Sequence, residues 1–270
     1  MASWRCSISS KSLPAALETA EGANMKIAVL LKMVPDLVEE LEVDASGKAL
    51  DTDELKFKLN EFDDHALEEA LLLGGEEDEV VALALEGEEN EKLLFTALAK
   101  GANRAVQLTG VQPGGSGEQA TAFAAALTES SFDLVLTGVQ SVDDREGQLG
   151  PLLAAQMGLP CVSVVTGVSV ADGVATVNKE YSDGVMAEFE VTLPAVLGIQ
   201  AARQPPRYAP VSKVRQMQQS ATLETLAVNA GEAGTGSQIT AMAPPETGAG
   251  AKMLDDATAL LEVLRGEGVA

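Results

Sequence analysis

The sequence predicts an α/β fold. Its core is a parallel sheet with helices on both faces, joined by an antiparallel edge extension and an extended C-terminal arm. Three observations lead there. Short apolar runs without alternation recur from residue 26 to residue 138, as strands buried on both faces require. Helical segments separate those runs, and such alternation builds βαβ units with right-handed crossovers. After Pro160 the texture changes to strand-like runs broken by Asp-Gly pairs, which are turn signals.

Residues 1–24 stand apart. They are Ser-rich, with Arg5 and Lys11, and hold no periodic apolar face. A targeting peptide and a non-native leader upstream of Met25 both suit that composition. Glu18 and Glu21 favour the leader, so this stretch is expected to be disordered or extraneous. The core domain is expected over residues 25–200. Its strands are read at Lys26–Leu31, Glu79–Leu85, Ala105–Leu108 and Asp133–Gly138, and its helices at Glu61–Leu73, Glu89–Lys100, Gly117–Glu129 and Gly147–Met157. In the first helix Phe62, Ala66, Leu67, Ala70 and Leu71 fall at helical spacing.

Beyond Pro160, Cys161–Val165, Val168–Val170, Ala175–Lys179 and Phe189–Thr192 read as strands, with turns at Asp172-Gly173 and Asp183-Gly184. Pro194–Ile199 is a further apolar run. Residues 201–270 form a basic, proline-interrupted loop, then a linker over residues 229–250 rich in Gly, Ala, Thr and Pro, then a short amphipathic helix. A lone helix of that length is marginal by itself, so the C-terminal arm is expected to dock, wrapping a partner subunit.

Composition excludes several functions. With 18 basic and 41 acidic residues in a 270-residue chain, the net charge is −23, against the clustered Lys and Arg of a nucleic-acid grip. No apolar run is long enough to span a membrane. Cys6 and Cys161 are the only cysteines and His65 the only histidine, so neither a disulfide scaffold nor a Cys/His zinc site fits. Neither a catalytic residue nor a metal site is expected.

Three places could carry chemistry. Lys32 sits just past the first strand, where open parallel sheets bind ligands at a topological switch point. Asn60, Glu61, Phe62 and Asp63 open the first helix, and there N-capping accounts for the polar residues without a ligand. His65 follows as a surface or half-buried residue. The third place is the run Gly138-Val139-Gln140-Ser141-Val142-Asp143-Asp144-Arg145-Glu146-Gly147-Gln148-Leu149-Gly150-Pro151. It follows a buried strand and opens a helix, whose N-terminal amides suit phosphate. Gly147 and Gly150 permit close approach, and Arg145 could add a bidentate contact. The acids Asp143, Asp144 and Glu146 suit ribose hydroxyls or capping. Neither GxGxxG nor a P-loop is present. From chemistry alone this run reads as an adenine-nucleotide site.

Several ordered blocks carry a resemblance: Met25–Asp36, Leu59–Ala70, Lys100-Gly101-Ala102-Asn103-Arg104-Ala105, Gly138–Gly150 and Pro205-Pro206-Arg207-Tyr208-Ala209. Together they resemble the beta subunit of electron transfer flavoproteins, from Met25 nearly to the C-terminus. The resemblance implies a flavodoxin-like domain that binds AMP and helps seat an FAD held mainly by an alpha subunit. It also implies electron uptake from acyl-CoA and related dehydrogenases and delivery to a quinone oxidoreductase. By position it carries the AMP contacts to Leu30, Asn60–Asp63, Leu85 and Asp143–Ala154, which takes in Leu152 and Leu153. It carries partner docking to Arg207, Tyr208, Val211, Lys213 and Arg215, with Val211 as the aliphatic anchor. Such a carrier subunit is expected in the cytoplasm, or in the mitochondrial matrix of a eukaryote. Gln148-Leu149-Gly150-Pro151 and Asp63 also resemble bifurcating members, which hold a second FAD in the beta site. A reading outside the family is a free-standing adenine-nucleotide-binding regulator of universal-stress type.

Overall fold

The computed structural model describes residues 6–9, 24–111, 114–128, 130–228, 239–245, 248, 250, 251 and 253–269. They fall into two units. The first takes in residues 1–39 and 54–238, the second residues 40–53 and 239–270.

The first unit is the expected α/β body. Its strands are β1 (Cys6–Ser9), β2 (Lys26–Leu30), β3 (Met33–Pro35), β4 (Phe57–Leu59), β5 (Glu79–Leu85), β6 (Arg104–Thr109), β7 (Leu134–Gly138), β8 (Cys161–Ala171), β9 (Val174–Glu180), β10 (Met186–Thr192), β11 (Ala195–Ile199) and β12 (Glu224–Ala227). Its helices are α1 (Glu61–Leu73), α2 (Glu88–Lys100), α3 (Ser116–Thr128), α4 (Leu149–Met157) and α5 (Val211–Ser220). All strands but β3 and β4, which pair with each other, join one ten-stranded sheet in the order β1-β10-β9-β8-β11-β7-β2-β5-β6-β12. The run from β8 through β11 to β12 is parallel, and β9, β10 and β1 are antiparallel to their neighbours along the other edge.

Alternation along β2 divides the core. Ile27 and Val29 face one layer, with Leu67 and Ala70 of α1 and Leu94 and Ala97 of α2. Ala28 and Leu30 face the other, with Phe123 and Ala126 of α3 and Leu153 of α4. Helices therefore cover both faces, and continuous apolar runs are what such a sheet demands. With a core this poor in aromatics, small side chains set close packing: a Cβ on Gly198 would sit 2.4 Å from Ser163 Oγ.

The structure differs from the sequence reading in places. The runs Cys161–Val165 and Val168–Val170 are one strand, kept continuous through an irregularity near Val164, whose φ is +65°. β1, the β3–β4 pair, α5 and β12 were not among the expected elements. Of residues 1–24 the strand Cys6–Ser9 and residue 24 are described, and the rest of that expectation lies outside the described residues. Helix α4 begins at Leu149 rather than Gly147, since Gly147 takes φ +62° in the preceding loop.

The second unit holds a bridge between Val43 and Leu50 around a turn organised by Asp44, and Met242 donates its N–H to the Gly47 carbonyl. Its helix α6 (Ala257–Gly266) is capped by Asp256, which accepts from the Ala259 N–H at 2.8 Å. Of the expected linker, residues 229–238 and several others lie outside the described residues.

Candidate functional site

β2 occupies the centre of the parallel run. The chain builds outward from it through β5 and β6, then returns to its other side with β7. The order therefore reverses between β2 and β7, and a ligand crevice is expected at their carboxyl ends. A cleft lies there, enclosing about 740 Å³ with the open solvent at its mouth included. Its walls are Leu30 to Met33 after β2, Asn60 and Asp63 at the start of α1, Leu85 and Asn90, Gln119 and Phe123 of α3, and residues from Gly138 to Leu149.

Asp63 organises the floor. Its Oδ2 accepts the Lys32 N–H at 3.0 Å, and its Oδ1 accepts the Gly138 N–H at 3.1 Å and the Asn60 amide at 2.9 Å. One carboxylate thus staples the ends of the two central strands. Burial pushes its pKa up to about 7, against the pull of the Asn60 hydrogen bond, the Lys32 charge and the two backbone donors. Gly138 has to be glycine, since a Cβ there would stand 2.3 Å from Asp63 Oδ1. Asn60 occupies the N-cap position, but its side chain makes no cap hydrogen bond. Its amide bridges Asp63 and the Gln140 carbonyl at 2.9 Å instead. The capping account of Asn60 and Asp63 is therefore replaced by a tertiary one.

One wall is charged. Lys32 Nζ pairs with Asp143 Oδ1 at 2.7 Å. Desolvation raises the Asp143 pKa, but hydrogen bonds from Lys32 and Ser141 outweigh it and leave the carboxyl below its ordinary value. Asp144 accepts from Ser116 Oγ, which ties the loop to α3. Gly147 closes the loop: a Cβ there would meet the Val139 carbonyl at 2.4 Å. On the opposite wall, Asn90 accepts the Met33 N–H and donates to the Leu85 carbonyl. Thr137 Oγ1 is buried with no hydrogen-bond partner among the described residues, beneath Gly150 of α4.

The sequence-predicted residues are distributed as follows. Leu30, Asn60, Asp63, Leu85, Asp143, Asp144, Gly147 and Leu149 line the cleft. Glu61, Arg145, Glu146, Gln148 and Pro151 are exposed and Phe62 and Leu152 half-buried, all outside its lining. Arg145 is thus not brought to the place where a phosphate contact was expected. Leu153 and Ala154 are core residues on the buried face of α4, and Gly150 of the same helix is buried as well. Asn90, Gln119 and Phe123 were missed. The position of Asn90 just after the carboxyl end of β5 was the available signal for it; the two α3 residues had none.

A second cluster lies on α1. Arg207 Nε and Nη2 both donate to the Glu68 carboxylate at 2.9 Å, and Arg203 Nε donates to Glu69 at 2.8 Å. Arg207, read from the sequence as a docking residue, therefore holds its own chain. Tyr208 is 79% and Val211 59% exposed, and Lys213 and Arg215 are exposed as well.

Residues 48–231 match the family model of the electron transfer flavoprotein domain. The chain belongs to the electron transfer flavoprotein family. It is 33% identical over 201 residues to the electron transfer flavoprotein subunit beta of Methylophilus methylotrophus, a match covering 71% of this chain and 75% of that protein. The corresponding subunit of Mycobacterium bovis is 30% identical over 247 residues, covering 85% and 92%. A caffeyl-CoA reductase-Etf complex subunit, CarD, of Acetobacterium woodii is 31% identical over 195 residues, covering 70% and 74%. The fold and the beta-subunit likeness expected from the ordered blocks are thus borne out, and membership places the chain in flavoprotein electron transfer. It also sets aside the free-standing regulator. No helix among the described residues is long and apolar enough to cross a membrane.

Proposed function

We propose that this chain is the small subunit of a heterodimeric electron transfer flavoprotein. In this reading it binds AMP in the switch-point cleft and helps an alpha subunit seat FAD. The complex takes electrons from acyl-CoA-type dehydrogenases and delivers them to a quinone oxidoreductase. A carrier of this kind works in the cytoplasm, or in the matrix if its source is eukaryotic. The observation that carries the reading is the cleft itself, which joins apolar walls to a few convergent polar groups, the form of a binding site.

The residues fit a nucleotide. Leu30, Leu85 and Phe123 offer apolar surface to a base, while the Lys32 ammonium and the amides opening α4 suit a phosphate. The nucleotide would be structural, stabilising the folded subunit by mass action. The flavin, when bound, supplies the redox chemistry, and the protein supplies binding, orientation and electrostatics. Tyr208, Val211, Lys213 and Arg215 are the proposed docking surface, Val211 as apolar anchor and the cations acting mainly on association rate.

Co-expression with an alpha subunit, followed by mass spectrometry of the extracted nucleotides, tests this. A yellow heterodimer releasing AMP and FAD in equal amounts is the expected result. Two FAD and no AMP would move the chain to the bifurcating type. A stable flavin-free homodimer would overturn the proposal.

A further inference from the structure

The chain leaving β11 crosses α1 before it reaches the exposed docking residues, and its route is fixed in an unusual way. His65, Glu68 and Glu69 lie at i, i+3 and i+4 on one face of α1. They accept main-chain N–H groups from the crossing segment: Ala202 to His65 Nδ1 at 3.2 Å, Arg207 to Glu68 at 2.9 Å and Arg203 to Glu69 at 2.9 Å. Pro205 and Pro206 lie inside this segment and have no N–H to give, so no regular ladder can hold it. Side-chain acceptors on a rigid helix take that place, and the two arginine side chains close on the same carboxylates.

Both acids are buried: Glu69 is 0% and Glu68 4% exposed. Apolar packing could anchor a loop with less desolvation, and a buried ion pair is weak evidence for stability; its better-attested use is to fix one geometry. The fixed segment ends at Arg207, and the next residue, Tyr208, is 79% exposed.

We propose that Glu68 and Glu69 are positioning residues for partner docking, holding the segment Arg203–Arg207 so that Tyr208 and Val211 are presented at a set place and angle on the subunit surface. The inference rests on the reading of Val211 and its neighbours as the docking surface. Neither glutamate touches the nucleotide cleft or any electron donor. They act through Arg203 and Arg207, by removing the freedom the segment would otherwise lose on binding.

The test uses the flavin-loaded heterodimer and an acyl-CoA dehydrogenase reduced by its own acyl-CoA, with the carrier as the varied substrate. For Glu68→Gln the expected result is a KM for the carrier raised about fivefold with kcat within about twofold. Flavin content and the rate of reduction by dithionite, which needs no docking, should match the wild type. Trypsin should cut after Arg203 or Arg207 sooner than in the wild type. Arg203→Lys, which keeps the charge on Glu69 but loses the guanidinium, should give a smaller rise of the same kind and serves where Glu68→Gln fails to fold. Val211→Ala separates the two readings. If Val211→Ala raises KM and neither clamp variant does, the positioning role is lost while the docking surface stands. If Val211→Ala leaves KM unchanged, both are lost.

Discussion

The Lys32 ammonium stands 2.7 Å from the Asp143 carboxylate, joining the end of the first core strand to the loop after β7 across the cleft. This pair neutralises an acid that would otherwise repel a phosphate in an already acidic protein. If the cleft holds AMP as proposed, replacing Lys32 with Met should weaken that binding about tenfold, or about 1.4 kcal/mol, in titration calorimetry of nucleotide-stripped heterodimer. Desolvation raises the Asp143 pKa and Lys32 lowers it, with a net lowering. The pair thus contributes stability above the ordinary carboxylate range and loses it as pH falls through the lowered value. Unchanged affinity in Lys32→Met would remove Lys32 from the ligand's reach.

Asp63 behaves in the opposite sense. Its folded pKa of about 7 lies above the ordinary 3.8, so its contribution is complete below the lower value and declines as pH rises toward the upper one. The slope should not exceed about 1.4 kcal/mol per pH unit. Urea unfolding of the wild type and of Asp63→Asn between pH 5 and pH 8 isolates it. The stability advantage of the wild type should shrink as pH rises. A constant difference would mean that Asp63 keeps one charge state throughout.

Gly138→Ala should destabilise by about 1–3 kcal/mol, because its Cβ meets both Asp63 and Phe62, the latter at 2.8 Å from Cβ. Thermal unfolding should register this as a loss of several degrees. An unchanged Tm would show that α1 can retreat from the strand end without cost.

Thr137→Val removes a buried hydroxyl that has no partner among the described residues and keeps nearly the same volume. The nucleotide-free subunit should gain about 1 kcal/mol in urea unfolding. A loss of that size would reveal a hydrogen bond made by this hydroxyl.

The fold was legible because its signals are local. Short unbroken apolar runs such as Val80 to Leu85, set between longer helical segments, read as strands covered on both sides, and helical spacing in α1 and α2 supplied the cover. The location of the site followed from strand order, and Lys32 and Asp143 were visible as charges at strand ends. What escaped was tertiary. Asn60 and Asp63 carry every mark of an N-terminal cap, yet the partners they chose are Gln140 and Gly138, some 80 and 75 residues away. No local pattern announces Phe123 as a cleft wall, since it repeats at the same helical period as its core neighbours. The sequence assigned Arg207 to docking alone, because its counter-ion, Glu68, is 139 residues distant.

The two buried acids of α1 also determine where this polypeptide can be cut. A fragment stopping at Gln200 would include β11 and look like a finished α/β body. It would nonetheless strip buried Glu68 of the hydrogen bonds from the Arg207 main chain and guanidinium, and leave buried Glu69 with the Val168 N–H but without the Arg203 main-chain N–H and Nε. The smallest autonomous piece therefore extends at least through Arg207. During synthesis that much chain has to emerge before Glu68 and Glu69 can meet Arg203 and Arg207.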